Sequence, residues 1–220
     1  MRGVTRITGE LTLLLALVGA ACSDPGRTPS PLDEAPDADE ASEARGPGPR
    51  GQPVDDQPPA PEIALDDQRG QPFRLSEQRG RAVLLFFGFV HCPDVCPATL
   101  STWGRLQRAL GEEADAVRCV FVTVDPERDT AERVADHLAI YGGGIIGLTG
   151  TEEELAEVWE AYDIHREVMR FGDTPGSYIV DHTAEMILVD GDGRQRLRHG
   201  FDVSVEDLLH DVRLVLQGEP

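Results

Sequence analysis

The apolar residues of this chain fall into runs with two distinct periods. "AVLLFFGF", residues 82–89, is apolar throughout, the mark of a strand buried on both faces. A helix is predicted after Cys96. Pro97 suits its first turn, and Leu100, Trp103, Leu106 and Leu110 recur at helical spacing. "AVRCVFVTVD" predicts a second buried strand. Asp129 with Glu132 resembles a capping box, opening a helix through Val134, Leu138 and Tyr141. "GIIGLTG" predicts a short third strand, and Thr151 with Glu154 caps a helix through Leu155, Val158, Trp159 and Tyr162. Ahead of all these, "EIALDDQRGQPFRL" predicts a hairpin turning at Asp67 to Gly70.

Past residue 176 the pattern changes. "SYIVD" and "AEMILVD" read as strand segments, "DGDGR" as a tight turn and "QRLRHG" as a returning strand. Ser204 with Asp207 caps a last helix through Leu208, Leu209, Val212 and Leu216. Strands alternating with helices, then a hairpin and a terminal helix, predict a thioredoxin-like α/β fold: a central sheet flanked by helices, with an N-terminal hairpin.

The first 60 residues read differently. Arg2 and Arg6 precede the apolar run Leu11 to Ala21, too short to span a bilayer comfortably and laid out as an export signal. Cys22 follows Gly19, Ala20 and Ala21, as at a lipoprotein cleavage site, so residues 1–21 are expected to be removed and Cys22 to carry lipid. Residues 22–60 hold nine acids, three arginines and many prolines, with Leu32 and Val54 their only bulky apolar residues. They are expected to form a disordered tether with an r.m.s. span of roughly 35 Å. Residues 61–220 then form one domain. The expected location is the outer, periplasmic face of a bacterial cytoplasmic membrane. The chain carries 40 acids against 20 Lys and Arg, a net charge of −20, which argues against nucleic acid as a partner.

The chemistry concentrates in "HCPDVCP". Cys92 and Cys96 stand where the first central strand gives way to a helix, the end of the sheet at which α/β proteins place their function. Unsatisfied N–H groups and the helix dipole favour thiolate there. A ring so small would be a poor stabilising disulfide. The spacing is neither the C-x2-C of thioredoxins nor a haem attachment. A thiol peroxidase would need a threonine three residues ahead of the reactive cysteine, and Phe89 and Pro93 hold those places. A redox pair and a soft metal site stay open. Two thiolates with one imidazole suit Cu(I), and also Zn(II) or Cu(II). Of six histidines, His91 abuts the motif but is expected to point elsewhere. His137 and His210 fall on helices, and His165 and His199 in segments of uncertain strand character. His182, expected in a loop between two strand segments, is the best third donor. Cys119 is expected to be buried apolar filler.

Together "FFGFVHCPDVCPATL", "VFVTVDPERDT" and "YIVDHTAEMILVDGDGR" resemble the Sco/SenC family of copper proteins, over about residues 61–217. The resemblance implies a thioredoxin-like fold and copper, as Cu(I) or Cu(II), held by Cys92, Cys96 and His182. It implies a metallochaperone for the binuclear copper centre of cytochrome c oxidase. Its partners would be the copper-receiving oxidase subunit, other copper chaperones and the membrane, through Cys22. The alternative is a thiol–disulfide oxidoreductase in which Cys92 and Cys96 keep the acceptor's cysteines reduced. Asp181 is a candidate to orient His182, and "DPER" is expected near the site.

Overall fold

The structure, a computed structural model, describes residues 48–218 except 173 and 175. The expected export signal and the lipid-bearing Cys22 lie outside the described residues.

Among the described residues ten strands and four α-helices follow in order. They are β1 (Gln52–Pro53), β2 (Ala64–Asp67), β3 (Pro72–Arg74), β4 (Ala82–Gly88), α1 (Val95–Leu110), β5 (Val117–Thr123), α2 (Ala131–Ala139), β6 (Ile145–Thr149), α3 (Glu152–Ala161), β7 (Arg166–Arg170), β8 (Tyr178–His182), β9 (Glu185–Val189), β10 (Gln195–Gly200) and α4 (Val205–Leu216). Eight strands form one sheet, in the order β1-β10-β9-β4-β5-β6-β2-β3. β4, β5 and β6 are parallel, while β9 runs antiparallel to β4 and β10 to β9. This is the thioredoxin-like arrangement that the apolar pattern predicts.

The central strands are apolar on both faces because both faces are covered. Phe86 meets Trp103 of α1 edge-on at 6.1 Å, and its neighbour Phe87 packs on Tyr162, beyond α3, at 5.5 Å. Successive strand residues point to opposite faces, so α1 and α3 lie on opposite sides of β4. All seven residues of β4 are buried.

Three expectations need correction. Ordered structure begins well before residue 61. Gln52 and Pro53 pair with Arg198 and Leu197, Val54 N–H donates to the Arg196 carbonyl, and Gln195 N–H to the Pro58 carbonyl. The Asp211 carboxylate accepts from the Arg50 and Gly51 amides. Main-chain bonding along a sheet edge needs no apolar side chains and tolerates proline, so a composition typical of disorder hides it. Next, α2 is capped by Thr130, whose hydroxyl accepts from Arg133 N–H, and not by an Asp129–Glu132 box; it ends at Ala139. Finally, β7 has no counterpart in the apolar pattern. It pairs only with β8, in a two-stranded sheet apart from the main one, and His182 ends β8 instead of sitting in a loop.

Candidate metal and redox site

The site forms at the carboxyl ends of β4 and β5. β4 stops at Gly88, and a turn leads to Cys92, whose N–H donates to the Phe89 carbonyl at 3.2 Å. α1 then starts at Val95. Asp94 precedes it without a side-chain capping bond. The Cys92 sulfur fills that role, accepting the Cys96 backbone N–H at 3.4 Å. One of the helix's orphan amides is thereby satisfied by a sulfur that it helps to ionise.

The two cysteines are free and unequal: Cys92 is partly exposed, Cys96 buried. The Cys96 thiol, the His182 ring and the Asp94 amide lie near enough to the Cys92 sulfur to favour its thiolate, and the Cys96 amide donates to it. Against the opposing effect of burial, these contacts bring the Cys92 thiol from 9.0 down to about 4. Cys96 is driven strongly upward, first by its bond to Cys92, then by burial and by the negative charges of Cys92 and Asp129. Cys92 is thus the thiolate and Cys96 holds the proton between them.

His182 reaches this pair from about ninety residues away. Its ring lies edge-on to Phe89 at 5.7 Å and to Phe86 at 6.4 Å. Nδ1 is 2.9 Å from the Thr183 carbonyl, an atom that can only accept. The Nδ1 proton is therefore committed to Thr183, and Nε2 is left for the sulfur or a metal. Asp181 does not orient this ring; its carboxylate lies 3.9 Å from His165 Nε2, at the surface.

Gly88 lets the sulfur come close. A Cβ there would stand 2.9 Å from Cys96 Sγ and equally close to the rings of Phe86 and Phe121. Asp129 holds the approach to Cys92: its buried Oδ2 accepts from the Thr123 hydroxyl at 2.7 Å and the Val90 N–H at 3.1 Å. Its Oδ1 has no hydrogen-bond partner, and burial raises the carboxyl to about 6.

The other expected residues lie elsewhere. His91 is exposed. His137 packs on Tyr141 at 5.3 Å, His199 is buried 3.5 Å from Asp211, and His210 meets the Gly48 carbonyl. Cys119 is fully buried in β5, its thiol pushed up to about 12 by that burial. The structure brings Cys92, Cys96 and His182 together, yet among the described residues no three His, Cys, Asp or Glu side chains form a ready-made metal cage. Cys96 is held as a thiol beside Cys92. A soft cation binding there would displace the thiol proton and draw in the thiolates and the Nε2 lone pair, a donor set that fits copper.

Sequence reasoning missed the residues that seat the hairpin bearing His182. Arg128 Nη1 donates to the Gly176 and Tyr178 carbonyls, Tyr178 donates its hydroxyl proton to Asp125, and Arg166 Nε donates to the Val124 carbonyl. The signal available was an aspartate and arginine in "DPER", at the end of a buried strand.

The chain is similar to known proteins over most of its described length. The chain is 39% identical over 137 residues to a protein of Stutzerimonas stutzeri provisionally named as copper-binding, a match covering 62% of this chain and 66% of that one. It is 35% identical over 154 residues to the mitochondrial SCO2 homolog of Mus musculus, covering 69% and 60%. The matched region thus spans about 60 to 66% of the length of these curated relatives. The copper-bound structure of ScoI from Bradyrhizobium japonicum superposes with a TM-score of 0.66 at 34% identity, covering 71% of this chain and 98% of that one. The SCO1/SenC family profile matches residues 54–217, most of the chain, and the chain therefore belongs to the SCO1/SenC family.

Proposed function

We propose that the protein carries copper on Cys92, Cys96 and His182 and hands it to the copper-receiving subunit of cytochrome c oxidase, for assembly of the binuclear copper site. The observation that carries this reading is the His182 ring, edge-on at 5.7 Å to Phe89 in the turn that leads to Cys92, with Nδ1 already committed to Thr183. A dithiol needed only for redox chemistry would not require an imidazole so prepared. Copper is cargo here: it arrives from another copper chaperone, replaces the protons on the donors, and leaves by ligand exchange with the acceptor's own thiolates and imidazoles. The proposal includes a lipid anchor on Cys22 at the periplasmic face of the membrane, with the acidic segment that follows it as tether. Among the described residues no helix is long and apolar enough to cross a membrane.

The test is copper binding by the reduced protein, titrated against a Cu(I) chelator. One copper per chain is expected, with tight binding abolished in Cys92→Ser and Cys96→Ser. His182→Ala should weaken affinity strongly, through loss of one donor of three. Unchanged affinity in His182→Ala would remove this site assignment.

A second reading rests on the inequality of the two thiols. A partly exposed low-pKa Cys92 beside a buried protonated Cys96 suits disulfide exchange. Cys92 thiolate would attack an acceptor disulfide, Cys96 would resolve the mixed disulfide, and the protein would leave oxidised with the acceptor's two thiols reduced. Reductase turnover that survives His182→Ala while copper binding is lost would favour it.

A further inference from the structure

The β7–β8 hairpin shares no strand pairing with the main sheet, so its seat depends on side chains. It is fixed near both ends. At its base, Arg166, paired across from His182, donates Nε–H to the Val124 carbonyl at 2.6 Å and lies over the Trp159 ring at 4.6 Å. At its tip, Arg128 does the same work. Its guanidinium stacks on the Tyr178 ring at 3.6 Å, and Nη1 donates to the Tyr178 and Gly176 carbonyls at 3.0 and 3.2 Å. Asp125, buried beneath, accepts from Arg128 Nε and from the Tyr178 hydroxyl, the latter at 2.7 Å. Apart from the Trp159 ring and Glu152, which Arg166 also meets, the body-side groups in these contacts belong to residues 124 to 128, directly after β5.

The geometry points to Arg128 as a positioning residue for His182, an assignment that rests on the copper-carrying reading above. Two routes connect them. Tyr178 and His182 are the first and last residues of one five-residue strand, so a load on Tyr178 is carried along β8 to the imidazole. Phe89 lies between the two groups directly, 5.9 Å from the guanidinium and 5.7 Å from the imidazole. Arg128 bonds to none of the donor atoms. Its effect is to hold the imidazole against Phe89, beside the turn that carries Cys92. Planarity matters: only a guanidinium can lie flat on the Tyr178 ring while donating in its own plane to two carbonyls and a carboxylate. The hairpin is then a lever with a firm base at Arg166 and a latch at Arg128, and the latch sets how readily the third ligand lets copper go.

The experiment is a double-mutant cycle on the full chain, read by Cu(I) affinity against a competing chelator and by the sulfur-to-copper charge-transfer absorption of the Cu(II) form. Arg128→Gln should weaken affinity by about 10-fold to 100-fold, the usual effect of losing a partner that orients a ligand, and shift the absorption. In a His182→Ala background the same substitution should cause no further loss, because its effect passes through the imidazole. Equal losses in both backgrounds would show a general structural role and overturn the inference. So would unchanged affinity in a protein that still needs His182. If His182→Ala itself binds as wild type, the copper site assignment falls and takes this inference with it, an outcome visible in that arm alone. Should Arg128→Gln not fold, Arg128→Lys keeps the charge beside Asp125 but loses the stack. It should bind with intermediate affinity, and wild-type affinity would overturn the latch.

Discussion

Cys92 and Cys96 share a motif but face opposite demands, and their difference can be measured one residue at a time. Cys92 titrates near 4 in the folded protein against 9.0 for a free thiol. Between those values the unfolded chain binds more protons, so stability rises with pH. The contribution is complete above 9 and is lost as pH falls through about 4. In reduced, metal-free protein, Cys92→Ser should therefore lower stability more at neutral pH than at acid pH. Chemical denaturation across that range checks it, and an equal loss at every pH would contradict the assigned thiolate. Alkylation at about pH 6 should modify Cys92 and spare Cys96 and Cys119, which are buried and held as thiols, as peptide mapping would reveal. Gly88 sets the other limit. With Cys96 Sγ and two phenyl rings about a hydrogen-bond length from a Cβ there, Gly88→Ala should destabilise the protein by about 1–3 kcal/mol, the usual cost of overpacking. It should also displace the Cys96 sulfur, lowering copper affinity.

At the scale of elements, what could be read in advance depended on how each element is held. β4, β5 and α1 bury continuous apolar faces, and their patterns state it. The box of Thr151 and Glu154 and the Ser204 cap are local chemistry, and both form as read. β7, "REVMR", is largely exposed and held by pairing with β8 and by Arg166, so no apolar period marks it. Without it, His182 could be assigned as the third donor but not placed on a strand. Asp129 looked like a helix cap because its spacing to Glu132 fits one, yet tertiary bonds to Thr123 and Val90 claimed its carboxylate and passed the cap to Thr130. Asp129 therefore ties α2 to the turn that carries Cys92. Asp129→Ala should cost about 2 kcal/mol by leaving a buried hydroxyl and amide without their acceptor. It should also speed hydrogen exchange at the Val90 amide, and unchanged exchange there would argue against the tie.

For the whole molecule, the consequential boundary is the one where the acidic, proline-rich segment becomes part of the fold. Composition placed it near residue 61, but the main chain from Arg50 to Ala60 runs along β10. That strand would otherwise be the free edge of a seven-stranded sheet, open to pairing with another copy. The segment is secured from behind by Asp211, which is fully buried on α4, accepts the Arg50 and Gly51 amides, and lies 3.5 Å from His199 Nε2. Removing the segment would strip that carboxylate of both amide donors while exposing β10. A chain beginning at residue 61 should therefore be less stable than one beginning at Pro47, by at least about 3 kcal/mol, the scale for unpairing a buried charged group. It should also self-associate with rising concentration. Thermal melts and size-exclusion chromatography of the two chains would measure both effects. Asp211→Ala in the longer chain should reproduce much of the lost stability but little of the association, because β1 can still cover the edge by main-chain bonds. Equal melts for the two chains would mean that residues 47–60 only rest on the domain. A dependence as large as expected would mean that a pull on the N-terminal segment is borne by β10 and α4, at the opposite side of the sheet order from β6 and remote from β5, where the hairpin holding His182 is latched.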